Sequence, residues 1–314
     1  MTRILDPTVE RGLLGELEPV VAANIDRHLS VARDWNPHDY VPWSEGRNFA
    51  FLGGEDWAPE QSRLTPVAKA AMIVNLLTED NLPSYHRVIA TAFGRDAAWR
   101  TWLDRWTAEE NRHAVAMRDY LTVTRGVDPV DLERRRMRLM SAGIEDGPQG
   151  LLENLAYVSF QELATRVSHR NAGRETGCPI GDQLMARIAA DENLHMVFYR
   201  NLVEAALELA PEAMMCAIRD VVLSFEMPGA GQPDFLRYSA IIANAGIYDL
   251  RLHHDAVIMP VLRYWKVFDR TDLAPAAEQA REQLAEFLRE VDVAAERFVT
   301  RRAERNARRE RSRS

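Results

Sequence analysis

The sequence predicts an all-α protein, a four-helix bundle with additional flanking helices, and three observations carry that expectation. Nearly every stretch long enough to judge places its apolar residues at the helical period, and no run of alternating β-branched residues stands out. Breaks fall at Gly and Pro clusters, and no Gly/Ser-rich linker divides the 314 residues, so the chain reads as one domain over 1–314. Two five-residue runs, Glu109-Glu110-Asn111-Arg112-His113 and Asp191-Glu192-Asn193-Leu194-His195, set a carboxylate and an imidazole three residues apart. On a helix both side chains then leave one face. Two such pairs, on different helices of one bundle, can hold two metal ions between them.

A first helix is expected over about 8–30. The segment from Asp34 to Asp56, rich in Trp, Pro and Gly, reads as an irregular strap across the bundle. A second helix, about 64–93, begins beyond Gly53-Gly54 and ends at Gly94, with Pro83 inside it one turn after Glu79. That proline removes one intrahelical bond and bends the helix. The third helix, about 96–123, runs from Gly94 to Gly126 and carries the first carboxylate–imidazole pair. A fourth spans about 128–142, and Gly147-Pro148 separates it from a fifth at about 149–172. Gly177 to Pro179 opens the sixth, about 178–208, which carries the second pair. Helices over about 211–226, 234–264 and 272–308 follow, the first two parted by Pro228 to Pro233.

Composition fits a globular protein with a large core, at 46% hydrophobic and 27% charged residues. No apolar run reaches the ~18 residues that span a bilayer. The first residues, Met1 to Pro7, lack the apolar core of a signal peptide. Cys178 and Cys216 make no disulfide framework in a chain this long and read as buried free thiols, which together point to a reducing, cytoplasmic location. The net charge of −8 is uneven: residues 301–314 hold seven Arg and two Glu, a basic tail that is either a solvated helix end or an attraction for anionic surfaces.

Each pair has an acidic residue before its Glu, an Asn after it, and a lone Glu upstream: Glu79 lies 31 residues before Glu110 and Glu162 lies 30 before Glu192. The chain thus reads twice as Glu, helical hairpin, Glu-x-x-His, the ligand set of a carboxylate-bridged dinuclear site. Mixed O and N donors without thiolate suit iron or manganese and argue against structural zinc. Four carboxylates balance two divalent cations, so the assembled site can be buried. Leu76, Leu82, Leu151, Leu155, Phe160, Leu184, Met185, Ile188, Met196 and Phe198 recur on or near the ligand-bearing faces. They read as core, and some of them as the lining of an apolar tunnel past the metals.

Four segments carry a resemblance: Thr78-Glu79-Asp80-Asn81-Leu82-Pro83-Ser84-Tyr85, Trp106 to His113, Ser159 to Thr165, and Ile188 to His195. Taken in this order the chain, from about residue 10 to 270, resembles the soluble acyl-[acyl-carrier-protein] desaturases, a di-iron family with a ferritin-like fold. The resemblance implies two iron ions, with Glu79 and Glu162 as terminal ligands, Glu110 and Glu192 bridging, and His113 and His195 completing one iron each. It implies that Asp191 anchors the imidazole of His113, and pseudo-symmetry gives Glu109 the same task for His195. Trp35 resembles the family's surface tryptophan that starts an electron path through Asp191. It also reads as a strap residue packed on the bundle. Thr165 matches a hydroxyl near the oxygen site, although a helical threonine also bonds backbone carbonyls.

The implied reaction is O2-dependent insertion of a cis double bond into a fatty acyl chain on acyl carrier protein, with ferredoxin as electron donor and a homodimeric enzyme. Carrier proteins are acidic, and Arg134, Arg135, Arg136 and Arg138 form a candidate basic docking patch. The chain departs from the family at Ala114, where Gly is common, at Leu194 and Met196, and past residue 270, where one charged helix replaces a strand pair. Two other readings keep the fold. One is a different ferritin-like di-iron oxidase, where a radical-generating subunit would need a tyrosine such as Tyr157 or Tyr199 beside a metal. The other is a non-catalytic iron- or carrier-binding protein.

Overall fold

The computed structural model describes residues 6–93, 97–143, 150–227, 233–271 and 273–312. The expected breaks at Gly94, Gly147-Pro148 and Pro228 lie outside the described residues. Helix α1 (Pro7–Val31) is followed by the strap and then α2 (Pro66–Asp80), α3 (Leu82–Phe93), α4 (Ala97–Val123) and α5 (Pro129–Ala142). Two long helices, α6 (Leu151–Glu175) and α7 (Pro179–Leu209), form a hairpin, and α8 (Pro211–Leu223) and α9 (Pro233–Ala245) continue the chain. Short α10 (Leu250–Leu252), a π-helical stretch His253–Ile258, α11 (Met259–Tyr264) and the long α12 (Pro275–Arg311) complete it. No strand occurs among the described residues.

Local chemistry sets these starts. Prolines at the first helical positions of α1, α2, α5, α7, α8 and α12 have φ fixed for a helix and lack an N–H that would go unbonded there. Asp6, Thr65 and Asp128 precede three of them, and their side chains accept from backbone N–H groups of the first turn. The expected second helix is two helices rather than one bent helix. Pro83 offers no N–H to the carbonyl of Glu79, the ladder stops at Asp80, and Asn81 caps it by donating its N–H to Thr78 O at 3.2 Å. The expected helix over 234–264 is likewise interrupted. Gly246 takes φ +77°, a left-handed value that ends α9. Farther on, Pro260 cannot bond the carbonyl of Ala256, and the preceding turn widens to π form.

Helices α2, α4, α6 and α7 form the central bundle, with α1 against α4 and α7 and with α12 against α8. The α6–α7 hairpin closes tightly because glycine lets the helices meet. A Cβ at Gly173 would stand 2.7 Å from Met185 Cβ, and one at Gly181 would stand 2.6 Å from the Tyr120 hydroxyl. All ten core candidates, Leu76 through Phe198, are buried, each stabilising the fold by roughly 1.5–3 kcal/mol. Apolar packing divides around a polar centre, with Trp102, Phe160 and Phe198 on one side and Met72, Met117 and Met185 on the other.

The strap is a series of 3₁₀ turns pinned by Arg125. Its guanidinium donates to Asn48 O and Glu55 O at 2.9 Å and to Gln61 Oε1 at 2.8 Å, and lies over the Phe49 ring. Neither cysteine is in a disulfide, and both are half-buried rather than buried. Among the described residues no helix is long and apolar enough to cross a membrane.

Candidate metal centre

The last turn of α2 supplies Glu79, α4 supplies Glu110 and His113, α6 supplies Glu162, and α7 supplies Glu192 and His195. All six are buried, the two imidazoles completely. They assemble into two groups, Glu79/Glu110/His113/Glu192 and Glu110/Glu162/Glu192/His195, whose donor atoms lie within 4.8 Å of one another. Glu110 and Glu192 belong to both. His113 Nδ1 lies 3.5 Å from Glu79 Oε2 and 3.2 Å from Glu192 Oε1. His195 Nδ1 lies 2.7 Å from Glu110 Oε1 and 3.6 Å from Glu162 Oε2.

Each of these six side chains ends in one buried polar atom without a hydrogen-bond partner: Glu79 Oε2, Glu110 Oε1, His113 Nδ1, Glu162 Oε2, Glu192 Oε1 and His195 Nδ1. Buried polar atoms are normally satisfied, and an uncompensated buried carboxylate costs several kcal/mol. Six converging polar atoms without hydrogen-bond partners are the pattern a pair of cations would satisfy. A third group, His28/Glu109/His195, also comes together. There the facing atoms already bond one another, since His28 Nε2 and His195 Nε2 lie 3.0 and 2.9 Å from Glu109 Oε2. It is a hydrogen-bonded hub.

Five of these six candidate ligands are also held at their opposite atom. His113 Nε2 faces Asp191 Oδ2 at 3.4 Å, and Asp191 also accepts from Trp35 Nε1 at 2.7 Å, from Arg112 at 3.1 Å and from Arg187. Glu109 holds His195 from the other side and accepts from Arg105 Nε at 2.6 Å. The acid before each Glu thus lies against the imidazole of the opposite pair, a contact of the kind that orients metal-binding histidines. Trp106 Nε1 donates to Glu162 Oε1 at 3.0 Å, and His169 Nε2 lies 2.8 Å from Glu79 Oε1. The Thr165 hydroxyl is 3.0 Å from Glu192 Oε2 and also within reach of the Gln161 and Glu162 carbonyls.

Trp35 is not a surface residue. It is 7% exposed, stacks near parallel to His113 at 6.3 Å, and lies under the Arg112 guanidinium. Tyr199 accepts from Trp102 Nε1 and Tyr157 donates to the Glu226 carbonyl, so neither hydroxyl bonds a ligand. Of the basic patch, Arg135 and Arg136 pair with Asp131 and Glu133, whereas Arg134 and Arg138 are exposed. Sequence reasoning missed His28, His169 and Arg187. A signal existed for His169, which follows Glu162 by seven residues and so shares its helix face.

Electrostatics match a site that trades protons for metal. Burial and the charge of Glu192 push the Glu110 carboxyl up to about 8. Glu162 is raised well above the carboxylate range by burial and by Glu110 and Glu192. Burial opposes charge on both imidazoles, yet the surrounding carboxylates hold His113 and His195 well above the usual histidine value. Burial likewise opposes the charge of Asp191, but its bonds to His113 and Trp35 hold its carboxyl down at about 2. A metal bound among them would displace protons.

Comparison with known proteins agrees with this site. The profile of the family described as "Fatty acid desaturase" matches residues 10–314. DesA1 of Mycobacterium tuberculosis, named as an acyl-[acyl-carrier-protein] desaturase, is 51% identical over 294 residues, 91% of this chain and 87% of that protein. The chloroplastic stearoyl-[acyl-carrier-protein] 9-desaturase 5 of rice is 30% identical over 297 residues, 88% of this chain and 75% of the relative. The X-ray structure of DesA2 from M. tuberculosis, likewise named as an acyl-carrier-protein desaturase, superposes with a TM-score of 0.71 at 35% identity, covering 86% of this chain and 99% of that one. Fold, buried ligand set and sequence together place this chain in the fatty acid desaturase family, among its acyl-[acyl-carrier-protein] desaturases.

Proposed function

We propose that the chain is an O2-dependent desaturase that holds two iron ions and introduces a cis double bond into an acyl chain carried by acyl carrier protein. The observation that carries this is the single orphaned donor atom on each of Glu79, Glu110, His113, Glu162, Glu192 and His195. On this reading Glu79, Glu110, His113 and Glu192 would hold one ion and Glu110, Glu162, Glu192 and His195 the other, with Glu110 and Glu192 common to both. The donor set fits iron, being oxygen-rich with one neutral nitrogen per position and no thiolate.

Bound there, the iron pair supplies the oxidising power against an unactivated methylene that no side-chain base has. The overall change removes two hydrogens from adjacent carbons and, with two external electrons and two protons, converts O2 to two waters. The chain's own residues have other work. Asp191 and Glu109 orient the imidazoles, Trp106 and Thr165 hold the carboxylates, and Phe160, Met196 and Phe198 keep water from the centre. Thr165 has one proton to give, to Glu192 or to a backbone carbonyl.

Ferredoxin as the donor is supported by charge. A groove of about 680 Å³ beside α6 and α7 is lined by Arg33 and Arg166, together with Arg170 and Arg187 that pair with Asp182 and Asp191, and its basic side chains suit an acidic electron carrier. Its Arg187 bonds Asp191, which joins Trp35 to His113. A homodimer, which rests on the family alone, and a cytoplasmic setting, which rests on two cysteines outside any disulfide, belong to the same reading. Incubating iron-loaded protein with saturated acyl carrier protein substrates, reduced ferredoxin and O2, followed by mass spectrometry of the acyl chains, tests the proposal. A product two mass units lighter is expected. Its absence from protein verified to carry two irons would refute desaturation of the acyl chains supplied.

A further inference from the structure

We infer that His169 is a positioning residue for one metal position only, a latch that fixes Glu79 with a single oxygen free to bind. The inference rests on the two-metal reading above.

His169 is fully buried on α6, two turns beyond Glu162 on the same face. Its Nε2 lies 2.8 Å from Glu79 Oε1 and 3.7 Å from Glu192 Oε1. Its Nδ1 has no partner. Against a carboxylate oxygen, which can only accept, the ring nitrogen is the donor. His169 therefore differs in kind from the ligand histidines. His113 and His195 set Nε2 against the outer acids and turn Nδ1 atoms without hydrogen-bond partners on the carboxylate cluster. His169 points a donor at a carboxylate oxygen, and no metal-holding group includes it.

The consequence follows from the oxygens. Glu79 Oε1 is occupied by His169 while Oε2 is orphaned and faces His113 Nδ1. Glu162 repeats the arrangement with another donor, Trp106 Nε1 on Oε1 and an orphaned Oε2 beside His195 Nδ1. Each terminal carboxylate is thus latched on one oxygen, by an imidazole at the Glu79 position and by an indole at the Glu162 position. Different donors make the two positions separable by mutation, although the bridging ligands are shared.

The test is anaerobic titration of the metal-free protein with Co2+ and with Fe2+, read by ligand-field absorption and by Mössbauer spectra of 57Fe-loaded samples. Wild-type protein is expected to take two ions. His169→Ala should weaken one of the two by about 10–100-fold and change one iron environment, the size typical for loss of a partner that orients a ligand. His169→Gln, which can still donate to Glu79, should recover most of that affinity even if the alanine variant folds poorly. Trp106→Phe should weaken the other position. Two ions bound by folded His169→Ala with wild-type affinity and spectra would overturn the latch. So would equal weakening of both positions, or a glutamine variant no better than alanine. A wild-type protein that takes fewer than two ions would instead overturn the two-metal reading itself.

Discussion

Asp191→Asn isolates a charge at the point where four donors meet. The carboxylate is 3% exposed and accepts from Trp35, Arg112, Arg187 and His113. Asparagine keeps the shape and removes the charge, so two guanidinium groups lose their counter-ion and one amide hydrogen is forced toward a donor. The Asp191 carboxyl is held at about 2 against an ordinary 3.8. At about 1.4 kcal/mol per pH unit this corresponds to roughly 2.5 kcal/mol of favourable interaction with the charged form. Loss of one partner from a buried pair typically costs about 3–5 kcal/mol, which brackets the expectation from above. The sign is that of a depressed acid. The stabilisation is complete above the unfolded-state value of 3.8 and disappears as pH falls through about 2. Urea unfolding of metal-free protein at pH 7 should therefore show Asp191→Asn less stable by about 2–4 kcal/mol, a gap that closes in strong acid. Metal affinity should fall too, because His113 loses its anchor. A variant within about 0.5 kcal/mol of wild type, with unaltered metal binding, would refute the view that Asp191 organises this side of the site.

Other outcomes follow from the same geometry. Glu110→Ala or Glu192→Ala should lower the content of both metals and abolish activity, because each carboxylate belongs to both groups; full iron by elemental analysis would undo the bridging assignment. Gly173→Ala should destabilise the α6–α7 hairpin by about 1–3 kcal/mol through overpacking against Met185, and an unchanged melting curve would mean that the helices separate at little cost. Burial, followed by His254, pulls His253 down to about 4 from 6.5. Its contribution is present above 6.5 and lost as pH falls toward 4, so wild type should lose about 2 kcal/mol more than His253→Gln between pH 7 and 5; parallel losses would count against it. Arg134→Glu combined with Arg138→Glu should raise KM for acyl carrier protein substrate at constant kcat, and an unaltered KM would remove that patch from docking.

The helices and the ligands were legible in the sequence because both depend on short-range spacing. A three-residue offset fixes that Glu110 and His113 share a face, whatever the helix packs against, and the matching hairpin spacings bring in Glu79 and Glu162. The acids before each Glu were legible for the same reason. The rest depends on which side chains the packing brings into reach. His28 comes from α1, 81 residues from its partner Glu109, and no local pattern specifies that approach. Arg187 and Arg112 meet at Asp191 only because α4 and α7 pack together, and burial of Trp35 depends on where the strap crosses them. Backbone breaks divided the same way. Pro83 announced a disruption, but whether the helix bends or ends depends on donors available to the freed carbonyls. Six orphaned atoms converge at the centre because four helices place them there, and spacing along one chain names such atoms without bringing them together.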